Sequence, residues 1–203
     1  MSSTFKFARA LVPAVAVTIA APAPAAESAD LAKLGAHISS VQTMSANFTQ
    51  TDQRGRSAAG KLQLKRPGRV RFEYGSGDLL LVANGKRLTF IDYQVGQKSS
   101  WPLNRTPLGV LLSGSPDLKG RAQIVPSNDA RIVTVRARDP AQYGSILLAF
   151  IRSPSAPGGL QLHGWTAIDA QNKRTTVRLS NVRYNVAVPD SAFSYAEPKK
   201  KGR

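Results

Sequence analysis

Short runs in which apolar and polar side chains alternate fill most of the chain after residue 43. An alternation with a period of two residues places the apolar side chains on one face of a β-strand. Turn residues separate the runs, and Asn84-Gly85 is the strongest hairpin signal among them. The runs span residues 44–50, 60–66, 69–74, 79–82, 87–93, 97–101, 122–125, 131–138, 145–152, 160–168 and 175–182. This pattern predicts a mainly β protein of about eleven antiparallel strands, built as one large curved sheet or an incomplete, open β-barrel.

Two segments depart from this alternation and predict helices. Asp30–Val41 places apolar residues three or four positions apart, which gives a helix one apolar stripe. Thr106–Gly114 begins with Thr-Pro and ends with Gly, a composition typical of a short helix. A sheet of this size needs cover on its concave face. We expect the helices to form a lid there, with Leu108, Leu111 and Leu112 turned towards the sheet.

The first 25 residues have the parts of a secretory signal. Lys6 and Arg9 precede the apolar run Ala10–Ala21, and Ala23-Pro24-Ala25 is an A-x-A cleavage site. We therefore expect residues 1–25 to be removed, residues 26–198 to form one domain, and residues 199–203 to be a disordered basic tail. In a Gram-negative bacterium such a protein would reside in the periplasm. The chain has no cysteine, which excludes disulfides and the lipid anchor of bacterial lipoproteins.

The charge balance favours anionic partners. The chain has 28 basic and 12 acidic residues, a formal net charge of +16. Nucleic acid, anionic lipid and acidic protein surfaces all suit this charge, but export makes nucleic acid the poorest of the three. The basic residues are also spread over the whole chain, which is typical of a solvated outer face.

Catalytic motifs are absent from the sequence. Its two histidines, His37 and His163, have no motif around them, and we expect structural or exposed positions for both. Metal-ligand clusters, nucleophile elbows and phosphate-binding glycine loops are not present either. The sequence therefore predicts a protein that is not an enzyme and needs no metal or cofactor.

The stretch Leu62–Tyr74 combines apolar side chains with four cations: Lys65, Arg66, Arg69 and Arg71. In an extended chain most of these cations fall on one face, together with the other polar residues. Arg66 instead shares the face of the apolar side chains. A guanidinium on an apolar face costs several kcal/mol unless it finds hydrogen-bond acceptors. Carbonyl groups at the end of a covering helix could accept these hydrogen bonds. The apolar side chains that share this face are Leu62, Leu64, Val70, Phe72 and Tyr74.

Several of these motifs occur in an order that resembles the LolA family of periplasmic lipoprotein carriers. Phe48-Thr-Gln50 and Gly60 come first, followed by Arg66-Pro67 and Phe72-Glu-Tyr74. The similarity continues through LLLVANG, RLTFIDY, Gln97 and Thr106-Pro107, and it covers roughly residues 31–195.

The resemblance implies an open barrel closed by a helical lid, which takes a lipoprotein's acyl chains from an inner-membrane ABC transporter to an outer-membrane acceptor. It also implies that Arg66 holds the lid closed when the cavity is empty. The expected cargo is a lipoprotein or another lipid, and a monomer is expected. The candidate cavity positions are Met44, Phe48, Leu62, Leu64, Val70, Phe72, Leu80, Val82 and Phe90.

Two alternatives stay open at this point. A protein of the same fold could sense lipids or lipoproteins, or a basic exported protein could bind anionic glycan or nucleic acid. The C-terminus also departs from the family. Phe193-Ser-Tyr195 and Pro198 run into a lysine tail, where family members commonly continue with a further apolar strand.

Overall fold

The computed structural model describes residues 24–112, 122–138, 144–169 and 171–199. Two α-helices and eleven strands lie in this part of the chain. The helices are α1 (Pro24–Ser40) and α2 (Pro107–Leu112), and short 3-10 turns span Leu103–Arg105, Pro157–Gly159 and Asp190–Phe193. The strands are β1 (Thr43–Asp52), β2 (Ser57–Lys65), β3 (Arg69–Tyr74), β4 (Leu79–Asn84), β5 (Arg87–Asp92), β6 (Gln97–Pro102), β7 (Ala122–Val125), β8 (Ile132–Arg138), β9 (Ser145–Arg152), β10 (Leu160–Ile168) and β11 (Arg174–Tyr184).

All of these strands belong to one antiparallel sheet. Its order is β6-β5-β4-β3-β2-β1-β11-β10-β9-β8-β7, so nearly every strand pairs with its neighbour in sequence. The pairing of β1 with β11 joins the two halves of the chain. Strands β6 and β7 lie at opposite edges, and in the described residues the sheet stays open rather than closing into a barrel. The predicted mainly β, open architecture of about eleven strands is confirmed.

Both helices cover one face of the sheet, which we call the inner face. Helix α1 packs against β7 and β10, and α2 packs against β8 and β9. Apolar side chains of α1, α2 and the inner face form one continuous core cluster, which includes Leu34, Ile38 and Leu112. The sheet contributes to this core through the alternate side chains of its strands that point to the inner face.

The first helix is longer than its apolar stripe predicted, because it begins at Pro24 rather than Asp30. Cleavage after Ala25 would therefore remove its first two residues. Val41 follows the helix and is buried in the core. The second helix spans Pro107–Leu112, and the last two positions of its predicted range, 113 and 114, lie outside the described residues.

The opposite face, which we call the outer face, is covered in part by the end of the chain. Val188 and Phe193 pack against Leu80, Val82 and Ile91 in a second, smaller apolar cluster. Strands β4 and β5 are therefore buried on both faces. This explains why LLLVAN is a continuous apolar run rather than an alternating one.

Candidate functional site

Rows of apolar side chains cross the inner face in β1 to β5. Pairing between neighbouring strands sets Leu62, Phe72, Leu81 and Phe90 side by side. A second row consists of Met44, Leu64, Val70, Ala83 and Leu88. These side chains are buried in the core under the helices, except that Leu81 and Phe90 are half-buried. The six candidates Met44, Phe48, Leu62, Leu64, Val70 and Phe72 thus lie together on one apolar surface.

A group of aromatic rings lies at one end of these rows. The ring of Phe48 contacts those of Phe72 and Tyr74 edge to face, with centroids 5.2 and 5.0 Å apart. The ring of Trp165, from the other half of the sheet, lies edge to face with that of Phe72, with centroids 6.0 Å apart. Gly60 leaves space for Phe48, because a Cβ at Gly60 would lie 2.9 Å from that ring.

Two candidates lie on the wrong face. Leu80 and Val82 belong to the outer-face cluster and cannot line the inner surface. Their neighbours Leu81 and Ala83 contribute to the inner face instead. The two candidates were misplaced because β4 is an uninterrupted apolar run. Its odd-numbered and its even-numbered residues both form an apolar face, so the sequence does not show which set points inward.

The candidates also omitted the second half of the inner face. Strands β8 to β11 contribute more large side chains to the core than β1 to β5 do. The alternation in the sequence SILLAFIR predicts one strand of this half. Its buried members include Val133, Val135, Ile146, Leu148, Phe150, Leu162, Val177 and Leu179.

Two of the three residues predicted to face the sheet from the second helix are part of the apolar core. Leu112 is buried in the core, and Leu108 packs against it. The backbone of Leu111 lies in α2, but its side chain is outside the described part of the structure.

A cavity of about 20 Å³ lies between α1 and the inner face. Such a volume holds about one water molecule and is far too small for an acyl chain. The inner face is therefore closed in this structure. The cavity is lined by Leu34, His37, Ile38, Val41, Met44, Leu64, Arg66, Ala122, Val135, Ala137, Leu148, Phe150 and Leu162.

Arg66 lies at this cavity, in the turn that follows β2. It is 8% exposed, and its backbone N–H donates a 2.8 Å hydrogen bond to the carbonyl of Gln42. Burial lowers the pKa of its guanidinium to about 10, so Arg66 stays charged at neutral pH. In the same turn, the N–H of Gly68 donates to the carbonyl of Leu112 at the end of α2, at 2.9 Å. The inward position expected from parity is thus observed, whereas the bonds predicted from the guanidinium to lid carbonyls stay a prediction.

Helix α1 is fastened to the sheet by an ion pair that the sequence did not suggest. Arg152, at the end of β9, donates to both carboxylate oxygens of Asp30 at 2.6 and 2.7 Å. The hydrogen bond from Arg152 lowers the pKa of the Asp30 carboxyl. The two residues are 122 positions apart, so no local pattern signals their contact.

A second attachment of α1 involves His37, which is 4% exposed. Its Nδ1 lies 2.9 Å from the carbonyl oxygen of Pro157, and its ring lies edge to face with those of Phe150 and Tyr184. Burial lowers the pKa of this imidazole, and the positive charge of Arg66 lowers it further, so His37 is neutral at pH 7. His163, in contrast, is exposed. His37 thus has the structural position expected for it.

The remaining cations of the basic stretch are not simply solvated. Lys65 and Arg69 each lie 2.6 Å from the carboxylate of Asp190, in the C-terminal segment Val186–Glu197. Arg71 donates to the carbonyls of Ala192 and Ser194, at 3.4 and 3.2 Å. The outward cations therefore hold the end of the chain on the outer face, while Arg66 points inward.

Other kinds of site find no support in the part of the chain that the structure describes. It contains no group of three histidine, aspartate or glutamate residues placed to hold a metal ion. None of its helices is long and apolar enough to cross a membrane.

Comparison with known proteins identifies the family of the chain. An outer-membrane lipoprotein carrier protein of Chromobacterium violaceum is 28% identical over 197 residues, which covers 92% of this chain and 91% of that protein. Its counterpart in Pseudomonas putida is 29% identical over 184 residues, covering 84% and 83%. A solved LolA-superfamily protein of Nitrosomonas europaea superposes with a TM-score of 0.43 and 10% identity, over 82% of this chain and 95% of that one. The model of the family described as outer membrane lipoprotein carrier protein LolA matches residues 39–196, and the chain belongs to this family.

Proposed function

We propose that the protein is a periplasmic, non-enzymatic carrier that encloses the acyl chains of lipoproteins and moves them from the inner to the outer membrane. The observation that carries this proposal is the broad apolar inner face, on which both helices pack and over which α1 leaves a cavity of only about 20 Å³. Family membership supports the class of cargo. In this proposal the structure corresponds to the empty carrier.

Acyl chains need such a site because their exposure to water is costly. Each methylene costs about 0.8 kcal/mol, so one long chain costs on the order of 10 kcal/mol. An apolar surface between sheet and helices can offset this cost once the helices move outwards. Closure must be worth only a few kcal/mol, because a lid that is too stable would exclude the cargo.

The expected partners follow from this role. An inner-membrane ABC transporter of the Lol type would load the carrier, and an outer-membrane acceptor would receive the cargo. The positions proposed to contact acyl chains are those candidates that lie on the inner face, together with Leu81 and Ala83. Arg66 is proposed as the latch, because it is charged and lies at the closed cavity beside the end of α2.

The test begins with the native protein. Purification from the periplasm followed by mass spectrometry should identify acylated molecules bound to it. Binding is then measured with a fluorescent acylated peptide and compared between Val70→Thr and Val82→Thr. These valines are 1% and 2% exposed and lie on opposite faces of adjacent strands.

Both substitutions bury one hydroxyl, and we expect each to reduce stability by about 1–2 kcal/mol. Only Val70→Thr should weaken acyl binding, because only Val70 faces the proposed cargo. Equal binding by the two variants, or a native protein free of acylated molecules, would contradict the carrier role.

A further inference from the structure

Three exposed cations lie near one another on the outer face, at the centre of the sheet. Six of the described carboxylates pair with other cations: Asp30, Asp52, Glu73, Asp129, Asp190 and Glu197. The three cations at the centre of the sheet have no ion pair among the described residues. Lys61 of β2 and Arg178 and Arg183 of β11 are all exposed there.

These three cations surround one strand. Arg183 lies opposite Ser45 of β1, Arg178 lies opposite Thr49, and Lys61 lies opposite Asn47 from the other side. From the spacing between strands and the rise per residue, the Cα atoms of any two of these three residues are roughly 12–14 Å apart. The outward side chains of β1 between them are Ser45, Asn47 and Thr49, all of which can hydrogen-bond.

The nearest carboxylate does not neutralise this area. Glu73 is the neighbour of Lys61 on β3, but its carboxylate is 2.8 Å from the guanidinium of Arg71. We call the surface formed by Lys61, Arg178, Arg183 and the outward side chains of β1 the basic platform.

We infer that the basic platform binds the surface of anionic phospholipid membranes. The backbone positions of its cations are spread over roughly 12–14 Å, a spacing that suits a layer of head groups. Cations near an anionic bilayer each contribute about 1 kcal/mol, which gives a weak and reversible association. Near the end of the chain, Glu197 is fastened to Lys98 on the same face at 2.6 Å, and the exposed Lys199 follows it.

This orientation leaves α1 and α2 free. The platform lies on the face opposite the helices, so a protein resting on a bilayer would present its lid to other proteins. The inference does not depend on the proposed cargo, and its test uses no lipoprotein.

The experiment measures sedimentation of the mature chain with vesicles of phosphatidylcholine that contain phosphatidylglycerol, at low and at high salt. We expect binding at low salt, a steep fall as salt is added, and no binding to pure phosphatidylcholine. The variant Lys61→Ser/Arg178→Ser/Arg183→Ser should bind about a hundred-fold more weakly, since each cation contributes about five-fold.

A matched control removes the same charge elsewhere. Arg54, Lys86 and Lys173 are exposed in turns away from the platform, and the variant with all three changed to serine should bind nearly as the original chain does. Equal losses in the two variants would assign the effect to net charge and overturn the inference. It would also fail if the platform variant bound normally, or if the original chain bound an acidic protein but no anionic vesicles.

Discussion

Arg66 is the charged side chain among the described residues that line the cavity. The other described side chains that line the cavity are apolar, apart from His37, whose imidazole is neutral at pH 7. Arg66→Leu should leave the neutral imidazole of His37 as the one polar side chain among the described residues that line the cavity, and should remove the proposed latch. Acyl cargo should then enter but leave slowly, and Arg66→Lys should give an intermediate rate because it keeps the charge without the planar fork of donors.

The measurement is transfer of a fluorescent acylated peptide from the loaded protein to acceptor vesicles. Lys65→Leu is the control, since it removes the neighbouring charge from the opposite face. Normal release by Arg66→Leu would show that this guanidinium does not control the lid.

A second prediction at this scale concerns the ion pair between Asp30 and Arg152. Because the pKa of Asp30 is lowered below 3.8 in the folded chain, its contribution to stability is present above pH 3.8 and is lost as the pH falls through the folded value. Asp30→Asn should loosen α1 by about 1–2 kcal/mol at neutral pH, a modest value because Arg152 is partly exposed. The protection factors of the α1 amides, which correct for the intrinsic pH dependence of hydrogen exchange, should fall in acid for the original chain and vary little with pH in Asp30→Asn. The same acid response in both would contradict this role of the pair.

At the scale of elements, the turn Pro157–Gly159 determines how closely α1 approaches the sheet. A Cβ at Gly158 would lie 2.5 Å from the backbone nitrogen of His37 and 2.6 Å from the carbonyl oxygen of Lys33. Gly158→Ala should therefore push α1 outwards, which should accelerate its hydrogen exchange and the uptake of an acylated peptide. Gly159 is the matched control, because it has a similar positive φ but nothing within 4 Å of an added Cβ. Equal effects of the two substitutions would assign the change to backbone strain rather than to contact with α1.

At the scale of the whole molecule, the proposed loading would require α1 to separate from the sheet, since the cavity beneath α1 is too small for an acyl chain. The sheet itself is held by backbone pairing from β6 to β7 and should not change. We expect an acylated peptide to accelerate hydrogen exchange in α1 while exchange in β1, β2 and β11 stays slow. The same peptide without its acyl chain is the control. Tight acyl binding with unchanged exchange in α1 would place the cargo elsewhere.

Much of this architecture could be predicted from local patterns. Alternation of apolar and polar residues arises because successive side chains of a strand point to opposite faces. The sequence therefore predicts all eleven strands and both helices near the positions that the structure shows. The inward turn of Arg66 followed from the same parity. Parity failed at Leu80 and Val82, because a strand covered on both faces leaves no polar side chain to mark a direction.

Local patterns are therefore sufficient to predict the strands, the helices and the inner position of Arg66, and the order of the motifs carries the resemblance to a family. What covers each face of the sheet, and how it is held there, depends on tertiary contacts. The contacts of Asp30 with Arg152 and of Asp190 with Lys65 join residues more than a hundred positions apart. Such contacts depend on how the whole sheet brings distant segments together, and no periodicity within a strand or helix encodes them.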